Sequence, residues 1–333
     1  MLDASAVARP LAAFGGSGAI YAPGSPRSPL SAEQVAAATL EQLAQHYAPI
    51  YVQGHEPAKA GKYAWPVEDD SIGRAYLIRR PNGKLATQID TGRPTVYAFA
   101  EKRRLGDREH VQLTYTVWYP RHPRTKKVDI EAADIDSGVL RLTLDGQNRP
   151  LFYETVLACG CYHKVFVESV VEAEARRVYG QPVKGKKFAV EKPASMALDW
   201  EVAGEVRTPP DGPCAPVVFV SGGEHRVVGL QSSAGFRWPD PARTVWPYRL
   251  AGYRELMAAP VDDGAETAPI FNSNDDQQVW GADRMERFIF MWIGTNDAGH
   301  PRRDDQILLH FDQSKWRNPQ NYQRYLRLPP GTL

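Results

Sequence analysis

The chain has 333 residues, of which 43% are hydrophobic and 24% charged, with a formal net charge of +1. That composition can bury a sizeable core and excludes a mostly disordered chain. The near-zero charge supplies no global field for nucleic acid or a membrane surface, and no stretch approaches the ~18–20 apolar residues of a membrane-spanning helix.

Met1-Leu2-Asp3-Ala4 lacks a positive n-region, and Gly15, Gly16 and Gly18 break the apolar run that follows, so no secretory signal is recognised. The expectation is a cytoplasmic chain if the sequence is complete and a periplasmic one if a signal has been removed. Residues 1–30 are rich in Ala, Gly, Pro and Ser, which predicts a flexible arm laid over the surface. Residues 31–333 are expected to form a single domain. Ser31 and Gln34 make a capping box, predicting a helix to about His46, and Ala48 to Val52 is a short strand.

From about Gly73 the hydrophobic period becomes two. Val111, Leu113, Tyr115, Val117 and Tyr119 alternate with Gln112, Thr114, Thr116 and Trp118, the pattern of an antiparallel strand. Leu140, Leu142 and Leu144 alternate likewise. Asp145-Gly146 then offers a tight turn with its positive φ at Gly146, and Leu151 to Leu157 returns as the partner strand. Ser169 to Tyr179 is a helix stopped by Gly180. Residues 205–216 form a Pro-rich loop that carries Cys214. Val217 to Val220 is a buried strand, Ser221-Gly222-Gly223 a turn, and Glu224 to Val228 a further strand. Residues 247–258 are predicted as a short amphipathic helix, and Arg284 to Ile293 as a strand-like apolar run. Many short strands without regular strand–helix alternation favour an α+β, mainly antiparallel β architecture: a sandwich or open barrel with a few peripheral helices.

The densest chemistry lies between Tyr153 and His163. It holds Glu154, Cys159, Cys161 and His163. Three cysteines, an odd number, exclude a disulfide framework. Fully extended, Cys159 and His163 would stand ~13 Å apart, too far to chelate one ion. Gly160 must therefore bend the chain, or remote ligands must complete a site. His225 is the best remote candidate and His310 the next, with Asp312 beyond it; His46, His55, His110 and His122 read as helix-end or loop residues. Thiolate plus imidazole suits zinc or copper. A Cys-Gly-Cys pair can also cycle between dithiol and disulfide without a metal. Gly-X-Ser-X-Gly, Gly-X-Gly-X-X-Gly and His-Glu-X-X-His are absent from the sequence.

The run Val111 to Pro123, the Cys-Gly-Cys-Tyr-His motif at Cys159 to His163, His225 after its small-residue turn, Arg284 to Phe288 and His310-Phe311-Asp312 together resemble an uncharacterised bacterial protein family that shares this motif. The resemblance spans roughly residues 45–315. It implies no particular reaction, but it groups His163, His225 and His310 with the two cysteines. The expectation is a metal-binding protein, an oxidative or hydrolytic enzyme for a small molecule or modified peptide. Its metal ligands would be Cys159, Cys161, His163, His225 and His310, with Glu154 and Asp312 in catalytic roles. A metal-free thiol enzyme and a non-catalytic binding or envelope protein are the alternatives.

Overall fold

The computed structural model describes residues 18–24, 30–55, 61–193, 200–209, 215–237, 245–262, 264–275, 277–292, 299–309 and 314–333. Its centre is one mixed sheet of eleven strands. Chain order gives β1 (Gly18–Pro23), β2 (Ile50–Gly54), a separate hairpin β3 (Arg74–Arg79) and β4 (Leu85–Asp90), then β5 (Thr95–Leu105), β6 (Arg108–His122), β7 (Ala133–Leu144), β8 (Pro150–Leu157) and β9 (Lys164–Glu168). These are followed by β10 (Val202–Val206), β11 (Pro216–Val220), β12 (Val227–Ser232) and β13 (Val245–Gly252). The spatial order is β10-β9-β8-β7-β6-β5-β13-β1-β2-β11-β12.

The meander from β5 to β9 is antiparallel, as the period-two pattern predicts. β13 breaks it, running parallel to both β5 and β1. The sheet curls until its edge strands β10 and β12 touch, and Lys164 Nζ, on β9 beside the first edge, donates to the Val227 carbonyl of β12, 3.0 Å away. All eleven strands send side chains into one interior. Tyr21, Tyr51, Val96, Leu113, Tyr115 and Tyr153 are among those buried there. The result is a nearly closed β-barrel with few helices. Alternate residues face outward into flanking clusters, of which two are large. One holds Trp118 against the β3–β4 hairpin. The other holds Phe152, Val165 and Val167 against the C-terminal segment and helix Ser169–Tyr179. Both faces of the long strands are therefore dry, which suits their β-branched and aromatic content.

Several local expectations change. Residues 18–23 of the expected arm are β1, paired on both sides within the sheet; residues 1–17 and 25–29 lie outside the described ones. The helix expected to reach His46 is two, Ala32–Ala36 and Leu40–His46, because Thr39 and Gln42 form a second capping box. In the β7–β8 turn the positive φ belongs to Asn148 (60°), held by its amide to the Val35 and Ala36 carbonyls. Residues 245–252 extend as β13, and the helical turn is confined to Tyr253–Met257. Glu286–Trp292 is a helix, not a strand.

Candidate metal centre

The C-terminal ends of β2, β6, β8 and β11 and the starts of β7, β9 and β12 lie at one end of the barrel, and their connections carry the polar residues. His122 is the last residue of β6, and Asp136 is an early residue of β7. His225 lies in the β11–β12 turn rather than on a strand. It adopts φ 48°, after Gly223 at φ 72°. Its ring stacks on Tyr119, with centroids 3.9 Å apart and planes within 3°. The Tyr119 hydroxyl in turn donates to Gln53 Oε1.

His122, Asp136 and His225 converge. The Nδ1 atoms of both imidazoles lie 2.9 Å from the same oxygen, Asp136 Oδ2. The three residues form a buried group that can hold a metal ion. Donor atoms on one zinc at ordinary bond lengths stand roughly 3–3.5 Å apart, so the observed spacing needs only a small outward movement.

The far nitrogen of each ring also faces a carboxylate. His225 Nε2 lies 3.1 Å from Asp70 Oδ1, and His122 Nε2 lies 3.6 Å from Glu131. Asp70 is itself fixed by the Gly223 amide at 2.6 Å, the Trp65 indole at 2.6 Å and His55 Nδ1 at 2.5 Å. The other oxygen of Asp136 accepts from Arg284 Nη2 at 2.7 Å and from the Ser137 amide at 2.9 Å.

Burial alone would raise the Asp136 carboxyl, but Arg284 and the two imidazoles outweigh it and hold it well below the usual carboxylate range. Burial alone would lower His225, but the hydrogen bonds to Asp136 and Asp70 outweigh it and push the imidazole up to about 9. The network opens to solvent at its ends, where the side chains of His55 and Glu131 are 17% and 24% exposed.

The cysteines sit beside this group. After β8 the chain turns sharply, with Gly160 at φ 95° and Tyr162 at φ 55°. The Gly160 amide donates to the Leu157 carbonyl and the Leu157 amide to that of Cys161. The bend expected at Gly160 is present, and it brings the Cys159 and Cys161 sulfurs within 2.6 Å of each other. Two thiolates on one zinc would stand about 3.7 Å apart. Cys161 Sγ lies 3.7 Å from Glu286 Oε1, and Glu286 lies 3.9 Å from the Arg284 guanidinium. Burial, Cys159 and Glu286 all push the Cys161 thiol up.

His163 and Glu154 belong to another network. Glu154 takes a bidentate pair of hydrogen bonds from Arg141, at 2.9 and 2.8 Å. It also accepts from the Tyr322 hydroxyl and meets His163 Nε2 at 3.3 Å. Arg141 lies 4.0 Å over the Trp316 ring. Burial would raise Glu154, but Arg141, His163 and Tyr322 lower it. His310 and Asp312 lie outside the described residues. Of the residues singled out in the sequence, His225 alone belongs to the converging triad. His122 and Asp136 carry no local motif, because they stand fourteen positions apart and meet only through the β6–β7 pairing. No protein-family model matches the chain, nor does any curated protein or solved structure.

Proposed function

We propose that His122, Asp136 and His225 bind a divalent transition metal. The chain is then a metal-dependent enzyme that acts by hydrolysis or oxidation on a small molecule or modified peptide. One observation carries this reading: two imidazole nitrogens meet a single carboxylate oxygen, and a further carboxylate lies behind each ring. Carboxylates on the far ring nitrogen are the usual outer shell of metal-bound histidine, fixing its tautomer and raising its basicity.

Two histidines and one carboxylate suit zinc or iron(II). Copper held by thiolates is less favoured, since the two sulfurs face each other and Glu286. When bound, the metal supplies a Lewis acid and brings a coordinated water close to neutral acidity. The chain supplies the rest. Arg284 fixes the angle of Asp136, Asp70 fixes His225, and Tyr119 holds the His225 ring by stacking. Glu131 lies on the solvent side of His122, with the Tyr162 hydroxyl 3.2 Å away, and is the group placed to take a proton from an incoming substrate or water.

The test is elemental analysis of the untagged full chain, then titration of the stripped protein with zinc and with iron(II). One equivalent is expected, and His122→Ala should lose it. A protein that holds neither ion would end the proposal. A second reading has its own observation: His225 is bonded on both nitrogens to carboxylates, and Arg284 already offsets Asp136. That arrangement is a metal-free imidazolium clamp. It predicts that chelators leave both metal content, at zero, and stability unchanged.

A further inference from the structure

The cysteine pair is not used by the proposed metal centre, and its geometry has a chemistry of its own. Cys159 and Cys161 are buried, at 2% and 6% exposure. The turn that carries them is braced on both sides. Leu157 and Gly160 close it internally, and the distant segment 299–302 lies against it, with the Gly299 and Arg302 amides bonded to the Cys159 and Ala158 carbonyls. These bonds fix the backbone positions from which both thiols project. Sulfurs 2.6 Å apart are well inside contact distance. Glu286 stands 3.7 and 3.9 Å from Cys161 Sγ, where a carboxylate can take up the thiol's proton. An S–S bond relieves the crowding with little movement of either sulfur.

We propose that Cys159 and Cys161 are a redox pair, closing as a disulfide within the turn by exchange with a small-molecule disulfide and reopening as a dithiol by exchange with two small-molecule thiols, which leave joined as that disulfide. In the closing direction both S–H bonds break and one S–S bond forms. The reagent's own S–S bond breaks, takes up the two electrons and two protons, and leaves as two thiols. Glu286, 3.7 Å from Cys161 Sγ, accepts its proton before the sulfur attacks. Glu286 also faces Arg284, the partner of Asp136, so the pair lies next to the polar network at this barrel end without belonging to the triad. The proposal stands whether or not a metal is bound.

The experiment uses the full chain carrying Cys214→Ser, equilibrated with mixtures of reduced and oxidised glutathione. The samples are acid-quenched, unfolded and treated with N-ethylmaleimide. The expected result is two adducts in reducing mixtures and none in oxidising ones, through a single two-electron transition. The 159–161 peptide should then be two hydrogens lighter. The same peptide from the unsubstituted chain should show the same loss. Adducts on both cysteines at every ratio would overturn the proposal. So would glutathione retained on either sulfur, or a bridge from either one to Cys214 in the unsubstituted chain.

Discussion

A metal that binds His225 must displace the proton that Asp70 and Asp136 hold there. Without metal that proton leaves at about pH 9. Below this value each binding event releases one proton, so the apparent affinity should rise tenfold per pH unit, about 1.4 kcal/mol each. Between pH 6.5 and 8.5 the gain is roughly hundredfold, about 3 kcal/mol, and it should level off above pH 9. Asp70→Asn removes one of the two carboxylates that raise His225, while Asp136 stays in place. In that variant the levelling should move to lower pH. Competition against a chromophoric chelator of known proton affinity measures both curves. An affinity that is flat over this range would mean that the metal does not displace a proton at His225, and the triad would lose its claim to the ion.

Three further outcomes follow from other parts of the molecule. With a chelator present, His225 has a folded-state value above its unfolded one, so its stabilisation is complete below about pH 6.5 and is lost as pH rises through about 9. Urea titrations across that window should show a fall on the order of 3 kcal/mol, and a rise would contradict the assigned partners. Glu154→Gln leaves the Arg141 guanidinium, 2% exposed, without its charged partner. Breaking such a pair costs about 3–5 kcal/mol. Metal content should not change, because the triad lies elsewhere, and a urea midpoint shift worth less than about 1 kcal/mol would mean the pair is not structural. Gly223→Ala places a Cβ 2.9 Å from Trp65 Cζ2 at φ 72°. It should cost roughly 1–3 kcal/mol and weaken metal binding by shifting the His225 turn, which calorimetry of the stripped protein would detect.

The sequence carried the barrel's antiparallel half and little of its closure. Alternation in Val111 to Tyr119 and in Leu140 to Leu144 is a local signal; both lie in antiparallel strands, and Leu140 to Leu144 pairs with the strand Leu151 to Leu157 as expected. The placement of β13 between β1 and β5 depends on pairings 225 residues apart with β1 and 154 apart with β5, and nothing local in Val245 to Gly252 announces it. The same limit explains the site. Cys159, Cys161 and His163 drew attention by proximity in sequence. The positive φ at Tyr162 falls between Cys161 and His163, and the thiols face Glu286 while the imidazole meets Glu154. His122 looked like a loop residue because its partners, Asp136 and His225, arrive from other strands and turns.

Two buried histidine–carboxylate groups thus coexist in this chain, and what separates them is how completely each is closed. Around Glu154, every strong donor within reach is already used: two from Arg141, one from Tyr322 and one from His163. The network ties strands β7 and β8 to the C-terminal segment and offers no edge to solvent. Around Asp136, two imidazoles share one oxygen, and the chain of partners runs outward to the part-exposed Glu131 and His55. In the metal-free chain the shared oxygen already stabilises the fold, since the two rings lower Asp136 and Asp136 raises His225. A cation can also take the place of the protons between the rings, and the proposed metal site is for that reason the Asp136 group and not the Glu154 group.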